Sequence, residues 1–151
     1  MSQTNSQKGH TVLLATFLVH DALYALDAAV IQEVIRLGPV TPVRHAPDEV
    51  LGIVNLRGKI VTIVDLRLRL GFPRAVTGGD NRVFIIEDRN EFIGLLVDRV
   101  DEVVEVVSDQ CQPPPANVSR GQARFFEGVC HTRNRVITLL DAEQILSAGA
   151  H

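Results

Sequence analysis

Two aspartates at matching points of the sequence are the clearest candidates for acid and base chemistry. Asp65 and Asp141 each end an apolar stretch typical of a β-strand, and a pair of carboxylates can divide the roles of general acid and general base. Each is also followed by a short helical pattern. Aspartate is a favoured helix N-cap because its side-chain oxygen accepts a hydrogen bond from a free backbone N–H. We favour capping, because it explains both residues without catalysis.

The other residue types that carry chemistry are scattered. The sequence has no GxxxxGK[ST] phosphate loop and no GxSxG nucleophile motif. Its five histidines are isolated or lie in tails and turns, so none has a second ligand at metal-binding spacing. Cys111 and Cys130 fit neither a metal motif nor a CxxC redox motif, and one disulfide would be a weak sign of secretion, so a reducing cytoplasm fits better. We therefore expect neither an enzyme nor a metal or cofactor site.

Charge and composition argue against nucleic acids and membranes as direct partners. The net charge is −3 and the basic residues are spread along the chain, so no basic surface for phosphates is expected. The chain has six Phe, one Tyr and no Trp, too few for the aromatic platform on which single-stranded nucleic acids stack. The longest apolar run near the start, Val12 to Val19, is shorter than the ~20 residues that a membrane-spanning helix needs.

The turn Asn55-Leu56-Arg57-Gly58 is the remaining candidate for recognition. It joins two apolar runs that predict a β-hairpin, in which Gly58 supplies a positive φ. An arginine at such a tip is exposed, and most exposed arginines are only solvated. A guanidinium on a rigid tip can nevertheless bind a carboxylate through two hydrogen bonds. The turn is therefore either a solvated surface or a protein-binding site.

The elements that position this turn are mostly strands. Val, Ile and Leu dominate an apolar fraction of 46%, which favours β-structure. One helix is predicted from Ala28 to Leu37 by the spacing of its apolar residues, with Asp27 as N-cap and Glu33 on its polar side, ended by Gly38 and Pro39. Four aromatic residues fall within apolar strand patterns and are expected in the core: Phe17, Tyr24, Phe84 and Phe92. Strands are predicted at residues 11–19, 23–26, 51–56, 59–64, 82–87, 91–97, 103–107, 126–132 and 135–140, and short helices at 66–70 and 142–146.

An internal repeat organises these elements. Residues 52–70 align without a gap on residues 128–146, which matches Gly52 with Gly128, Arg57 with Arg133 and Asp65 with Asp141. Small sheets remove their open edges by closing. We therefore predict a mainly β fold with two pseudo-duplicated five-stranded β-barrel subdomains, of the SH3-like or OB-like kind, and a few short helices. The subdomains would span roughly residues 11–72 and 82–147, with strand exchange allowed, between a disordered tail at 1–10 and a tail at 148–151.

The run from Val50 to Arg67, VLGIVNLRGKIVTIVDLR, resembles the signature of CheW-like domains. Supporting matches are Tyr24-Ala25-Leu26, the following Gln32-Glu33-Val34, and Gly94-Leu95-Leu96-Val97-Asp98 with Glu102-Val103. The resemblance extends from Phe17 to Leu146. It implies two five-stranded barrels packed around a shared core, in agreement with the repeat.

The resemblance also implies a function. CheW-like coupling proteins are non-enzymatic, cytoplasmic adaptors, recruited to membrane-associated arrays, that couple chemoreceptors (methyl-accepting chemotaxis proteins) to the regulatory domain of the CheA histidine kinase in two-component signalling. Arg57, with Asn55 and Gly58 of the same turn, would face the helical hairpin tip of a receptor, and Glu33 would be the acidic partner of Arg57. Ile31 and Gly52 are secondary interface candidates. The resemblance implies no cofactor and assigns no kinase-contact residue.

Three other interpretations are open at this point. The chain could be a small-ligand or nucleotide-binding β-barrel, although it has neither a phosphate loop nor a stacking platform. It could be an enzyme that uses Asp65 or Asp141. It could also be a coupling protein of a non-flagellar pathway, such as twitching motility or biofilm formation.

Overall fold

The fold is seen in a computed structural model that describes residues 10–73, 79–115 and 124–147. The tail predicted at 148–151 lies outside the described residues, as does the one predicted at 1–10 except for His10. Residues 74–78, between the two predicted subdomains, also lie outside them. The strands are β1 (Thr11–Val19), β2 (Ala22–Asp27), β3 (Glu33–Ile35), β4 (Val50–Leu56), β5 (Lys59–Asp65), β6 (Arg82–Asp88), β7 (Glu91–Val97), β8 (Arg99–Val107), β9 (Cys111–Gln112), β10 (Phe126–Thr132) and β11 (Arg135–Leu140). The helices are α1 (Leu66–Arg69) and α2 (Ala142–Ser147), with 3₁₀ turns at Ala28–Val30 and Ser108–Gln110.

These strands form two sheets, and each sheet draws on both halves of the sequence. One has the strand order β3-β6-β7-β5-β4 and the other β8-β1-β2-β11-β10-β9. Most neighbours are antiparallel, but β5 pairs parallel with β7, and β11 pairs parallel with β2. The mainly β prediction is confirmed. The β1-β2 and β6-β7 hairpins are exchanged between the repeats, so the sequence halves do not coincide with the sheets.

Three apolar clusters hold the fold together. One lies between the sheets and includes Phe17, Tyr24 and Phe84, with the rings of Phe17 and Phe84 edge to face at 5.2 Å between centroids. A second cluster belongs to the six-stranded sheet. The third belongs to the five-stranded sheet, and Phe92 packs against it. The predicted core role is confirmed for Phe17, Tyr24 and Phe84, whereas Phe92 is only partly buried. Each sheet has an interior besides the core it shares.

The repeat is visible in the geometry of two glycines. Pairing of β4 with β5 shifts register between Val50 and Gly52, and pairing of β10 with β11 shifts at the equivalent place, between Phe126 and Gly128. A Cβ on Gly52 would lie 2.2 Å from the Thr41 carbonyl oxygen, and one on Gly128 would lie 2.8 Å from that of Gln112. Both copies therefore use a glycine at a bulge so that a neighbouring backbone can approach.

The predicted helix from Ala28 to Leu37 is wrong. Asp27 does accept a hydrogen bond from the Ala29 N–H at 3.0 Å, but the helical turn ends at Val30 and Glu33 lies on strand β3. The segment is rich in β-branched residues, which pack well in strands. The edge of β6 also provides backbone hydrogen-bond partners, and β3 pairs with it from Glu33 opposite Ile85 to Ile35 opposite Val83.

Asp65 and Asp141 are helix caps, as predicted. Asp65 is fully buried, and its carboxylate accepts hydrogen bonds from the backbone and side chain of Arg67 at 3.0 to 3.1 Å. Asp141 accepts from the Glu143 N–H at 3.0 Å, at the start of α2. Arg67 also donates to Asp98 at 3.1 Å, and Asp98 accepts from the backbone N–H of His20 at 2.6 Å. The buried Arg67 thus joins α1, β7 and the β1-β2 turn.

The two cysteines, to which the sequence assigned no role, form a disulfide. Cys111 lies on β9, outside the predicted strands, and faces Cys130 across the ladder to β10. The short strand β9 was missed because two residues are too few for a strand pattern.

Candidate protein-recognition site

The tip of the β4-β5 hairpin has a defined and uncommon backbone. Arg57 has φ 52° and Gly58 has φ 85°, and positive values at both central residues are those of a type I′ turn, which matches the twist of the strands. The Gly58 N–H donates to Asn55 Oδ1 at 2.9 Å. Asn55 therefore stabilises the turn, and Gly58 allows its backbone conformation. Arg57 adopts a left-handed conformation that residues other than Gly, Asn and Asp rarely occupy.

The guanidinium of Arg57 pairs with the carboxylate of Glu33 on β3. In the order of this sheet, β3 and β4 are the two edge strands, so the ion pair joins opposite edges. The sheet is curved until its edges face each other, as the barrel prediction requires. The Arg57 side chain stays 67% exposed and that of Glu33 34%, so the pair holds the arginine at the surface and adds little to stability.

The seam between these edges is an open groove beside the ion pair. A cavity of about 170 Å³ is lined by Glu33, Arg57, Lys59 and Phe92, among others. A second cavity, of about 220 Å³, continues between Ile35 to Pro39 on one side and Val54 to Leu56 on the other. Lys59 lies over the ring of Phe92, with Nζ 4.5 Å from the centroid. The groove is therefore lined by apolar side chains together with three cations, Arg36, Arg57 and Lys59.

The secondary candidates occupy different positions. Ile31 is half-buried and packs against the core between the sheets. Gly52 is buried at the β4 bulge, where Thr41 and Ile53 exchange backbone hydrogen bonds of 2.8 and 2.9 Å. The structure thus brings together Arg57, Glu33, Asn55 and Gly58, and it places Ile31 and Gly52 in packing roles nearby.

A second exposed surface was not predicted from the sequence. Ile60 on β5 is 56% exposed. Ile60 lines a cavity that shares Thr62 and Glu91 with a groove of about 410 Å³ between the β5-β7 face and α2. That groove is lined by apolar residues such as Ile93 and Leu146 and by charged residues such as Glu143. The sequence indicates the exposure of Ile60 only through strand alternation. Successive side chains of a strand point to opposite faces, so Ile60 points away from the face of the buried Val61.

The described residues contain neither a cluster of candidate metal ligands nor a membrane-spanning helix. In 10–73, 79–115 and 124–147, no group of three or more His, Cys, Asp or Glu side chains could hold a metal ion. Within the same ranges, no helix is long and apolar enough to cross a membrane.

A two-sheet β-domain that exposes a rigid arginine turn beside apolar grooves has the features of a protein-binding domain. The family model of the CheW-like domain matches residues 14–150. The chain therefore belongs to the CheW-like family. It is 32% identical over 132 residues to the chemotaxis protein CheW of Rhizobium meliloti (strain 1021), covering 87% of this chain and 85% of the relative. It is 28% identical to chemotaxis protein CheW of Helicobacter pylori (strain ATCC 700392 / 26695), covering 86% and 78%.

The likeness extends to a solved structure. The crystal structure of the scaffolding protein TtCheW from Thermoanaerobacter tengcongensis superposes with a TM-score of 0.80 at 32% sequence identity, covering 86% of this chain and 88% of that one. The predicted family and the mainly β fold class are both confirmed by this match.

Proposed function

We propose that this protein is a non-enzymatic, cytoplasmic adaptor that couples chemoreceptors to a CheA-type histidine kinase, recruited to receptor arrays at the membrane. Membership of the CheW-like family supports the role, and the solved relative is a scaffolding protein. Because both aspartates that suggested catalysis act as helix caps, they give no reason to propose an enzyme.

The assignment of the receptor contact rests on Arg57, which combines a left-handed conformation with an ion pair across the seam. An Asn-Gly pair suits a type I′ turn best, whereas this chain has Arg-Gly and accepts a left-handed arginine. Strained backbone clusters at functional sites, but His20, His45, Arg89 and Asn90 also have positive φ. What sets Arg57 apart is that it adds an ion pair with Glu33 across the seam. In the second copy, Arg133 and Asn134 are not among the residues with positive φ. We infer that the first turn offers its guanidinium to an acidic side chain on the receptor's helical hairpin tip.

Arg57→Ala is expected to weaken binding to a receptor cytoplasmic fragment at least about tenfold, since exposed arginine anchors often dominate interface energy. The protein should remain folded, because exposed ion pairs contribute at most about 1 kcal/mol. Isothermal titration calorimetry measures the affinity. Arg133→Ala, at the equivalent turn, is the matched control and should bind normally; equal affinity for both variants would contradict the proposal.

Arg57→Asn separates recognition from folding. Asparagine relieves the left-handed strain, so this variant should be as stable as the parent or more stable, by up to about 1 kcal/mol. It should nevertheless bind the receptor fragment as weakly as Arg57→Ala.

For the kinase contact we propose the surface around Ile60. An adaptor needs a second interface, and exposed apolar side chains beside a groove mark such sites. Ile60→Asp is expected to weaken binding to the kinase regulatory domain about tenfold or more and to leave the receptor-fragment affinity unchanged, as measured by pull-down and calorimetry.

The chain supplies its own control for this variant. Val136 occupies the repeat position equivalent to Ile60 and is equally exposed, at 56%. Val136→Asp adds the same charge at an equivalent place on the other sheet. If it weakens kinase binding as much as Ile60→Asp does, the assignment of the contact to the first copy is wrong.

A further inference from the structure

The disulfide lies at the free edge of the six-stranded sheet. Strand β9 has two residues and, among the described residues, is the last strand in that sheet and pairs only with β10. Cys111 and Cys130 are direct partners in this ladder. Cys130 is fully buried among the apolar residues of the sheet interior, whereas Cys111 is half-buried. The two sulfurs therefore differ in their access to small molecules in solution.

Strand β9 also has attachments that do not depend on the sulfurs. The Gln110 side chain accepts from the Val107 N–H at 2.8 Å and donates to the His131 carbonyl at 3.1 Å. Gly128 has no side chain between itself and the Gln112 backbone. These contacts involve neither sulfur, so reduction of the disulfide does not by itself remove them. Such preorganisation favours reversible closure of the disulfide, because little chain entropy is left to lose.

We propose that Cys111 and Cys130 form a reversible redox site for low-molecular-weight thiols and disulfides, such as glutathione, with Cys111 as the sulfur that reacts first. The Cys111 thiolate attacks glutathione disulfide, forms a mixed disulfide and releases one glutathione. The Cys130 thiolate then attacks the Cys111 sulfur and releases the second. Two protein thiols give up two electrons to one glutathione disulfide, and their two protons end on the two released glutathiones.

This inference is independent of the adaptor role, because it uses neither Arg57 nor Ile60. Its consequence is local: the oxidised form locks β9 onto β10, and the reduced form leaves β9 to two ladder pairs and the Gln110 contacts. In the first copy, β4 is the equivalent of β10. At this edge β4 forms the isolated bridge between Ile53 and Thr41, and neither residue is a cysteine. The redox state should therefore change one copy of the repeat and not the other.

Intact-mass measurement on the full chain tests the order of reaction. Reduced protein incubated with glutathione disulfide should lose both thiols and keep no adduct. Cys130→Ala should keep one bound glutathione, and Cys111→Ala should react at least about tenfold more slowly, because Cys130 is shielded. Brief maleimide labelling of the reduced, unmutated chain should mark Cys111 before Cys130, which avoids any folding defect of the variants. Retention of both thiols, or preferential labelling of Cys130, would overturn the proposal.

Hydrogen exchange on the oxidised and reduced chain tests the lock. Oxidation should slow amide exchange in β10 about tenfold and leave β4 unchanged. No change in β10, or an equal change in both strands, would show that the bond does not act on this edge and would overturn the local lock.

Discussion

Replacing Arg67 by methionine is expected to lower the free energy of unfolding by about 3 to 5 kcal/mol, because it leaves a buried carboxylate without its cation. The Asp65 side chain is fully buried and that of Arg67 is 3% exposed. Burial lowers the pKa of Arg67, but its hydrogen bond to Asp65 and the charges of Asp65 and Asp98 outweigh that effect, so the pKa is raised overall. Urea unfolding followed by circular dichroism gives the free energy directly.

Two further variants show whether the loss comes from the buried charge. Arg57→Met removes an exposed arginine that also pairs with a carboxylate, and it should change stability by less than about 1 kcal/mol. Arg67→Lys keeps the charge but not the planar fork that binds Asp65 and Asp98, so it should fall between the parent and Arg67→Met. A loss below 1 kcal/mol for Arg67→Met would mean that the network is not holding these elements together.

Gly52→Ala is expected to cost about 3 kcal/mol of stability, the second large effect, since overpacking against backbone cannot be relieved by a rotamer change. The new Cβ would lie 2.2 Å from the Thr41 carbonyl oxygen, and Gly52 has φ 147°, a conformation that favours glycine. Thermal and urea unfolding measure the loss. Near-wild-type stability with weaker receptor binding would instead make Gly52 an interface residue.

Two other glycines separate the close contact from the backbone conformation. A Cβ at Gly38 meets nothing within 4 Å, and φ there is not positive, so Gly38→Ala should be within about 0.5 kcal/mol of the parent. Gly58 has equally open space but φ 85°, so Gly58→Ala should show the conformational cost alone, about 1 kcal/mol. The expected order of stability is Gly38→Ala, then Gly58→Ala, then Gly52→Ala.

Much of the candidate site could be predicted from the sequence because it is a local structure. The NLRG turn, its flanking strands and its glycine lie within a few residues of one another, and hairpin geometry follows from such short patterns. The same is true of the caps Asp65 and Asp141, whose partners are two residues away. The resemblance to CheW-like domains implied the pairing of Glu33 with Arg57, but strand β3, on which Glu33 lies, was predicted as a helix.

The error at Ala28 to Leu37 shows where local patterns fail. Apolar residues at helical spacing are compatible with a helix, and the first turn does form behind Asp27. Whether the following residues continue it depends on what lies beside them. Strand β6 offers three ladder partners at the edge where β3 pairs with it. This tertiary pairing overrides the local preference, as is common for short segments.

The sequence by itself determined the hairpins, the duplicated unit, the turn chemistry and the family, because each depends on residues close together in the chain or on repetition of one pattern. The tertiary structure alone decided which hairpin joins which sheet, that Arg57 closes a seam, that Arg67 is buried between carboxylates, and that Cys111 meets Cys130. The partners are far apart in the sequence: 19 residues for Cys111 and Cys130, 24 for Glu33 and Arg57, and 31 for Arg67 and Asp98. Alternative pairings of the same hairpins would bury the same apolar faces, and only packing of the whole chain distinguishes among them.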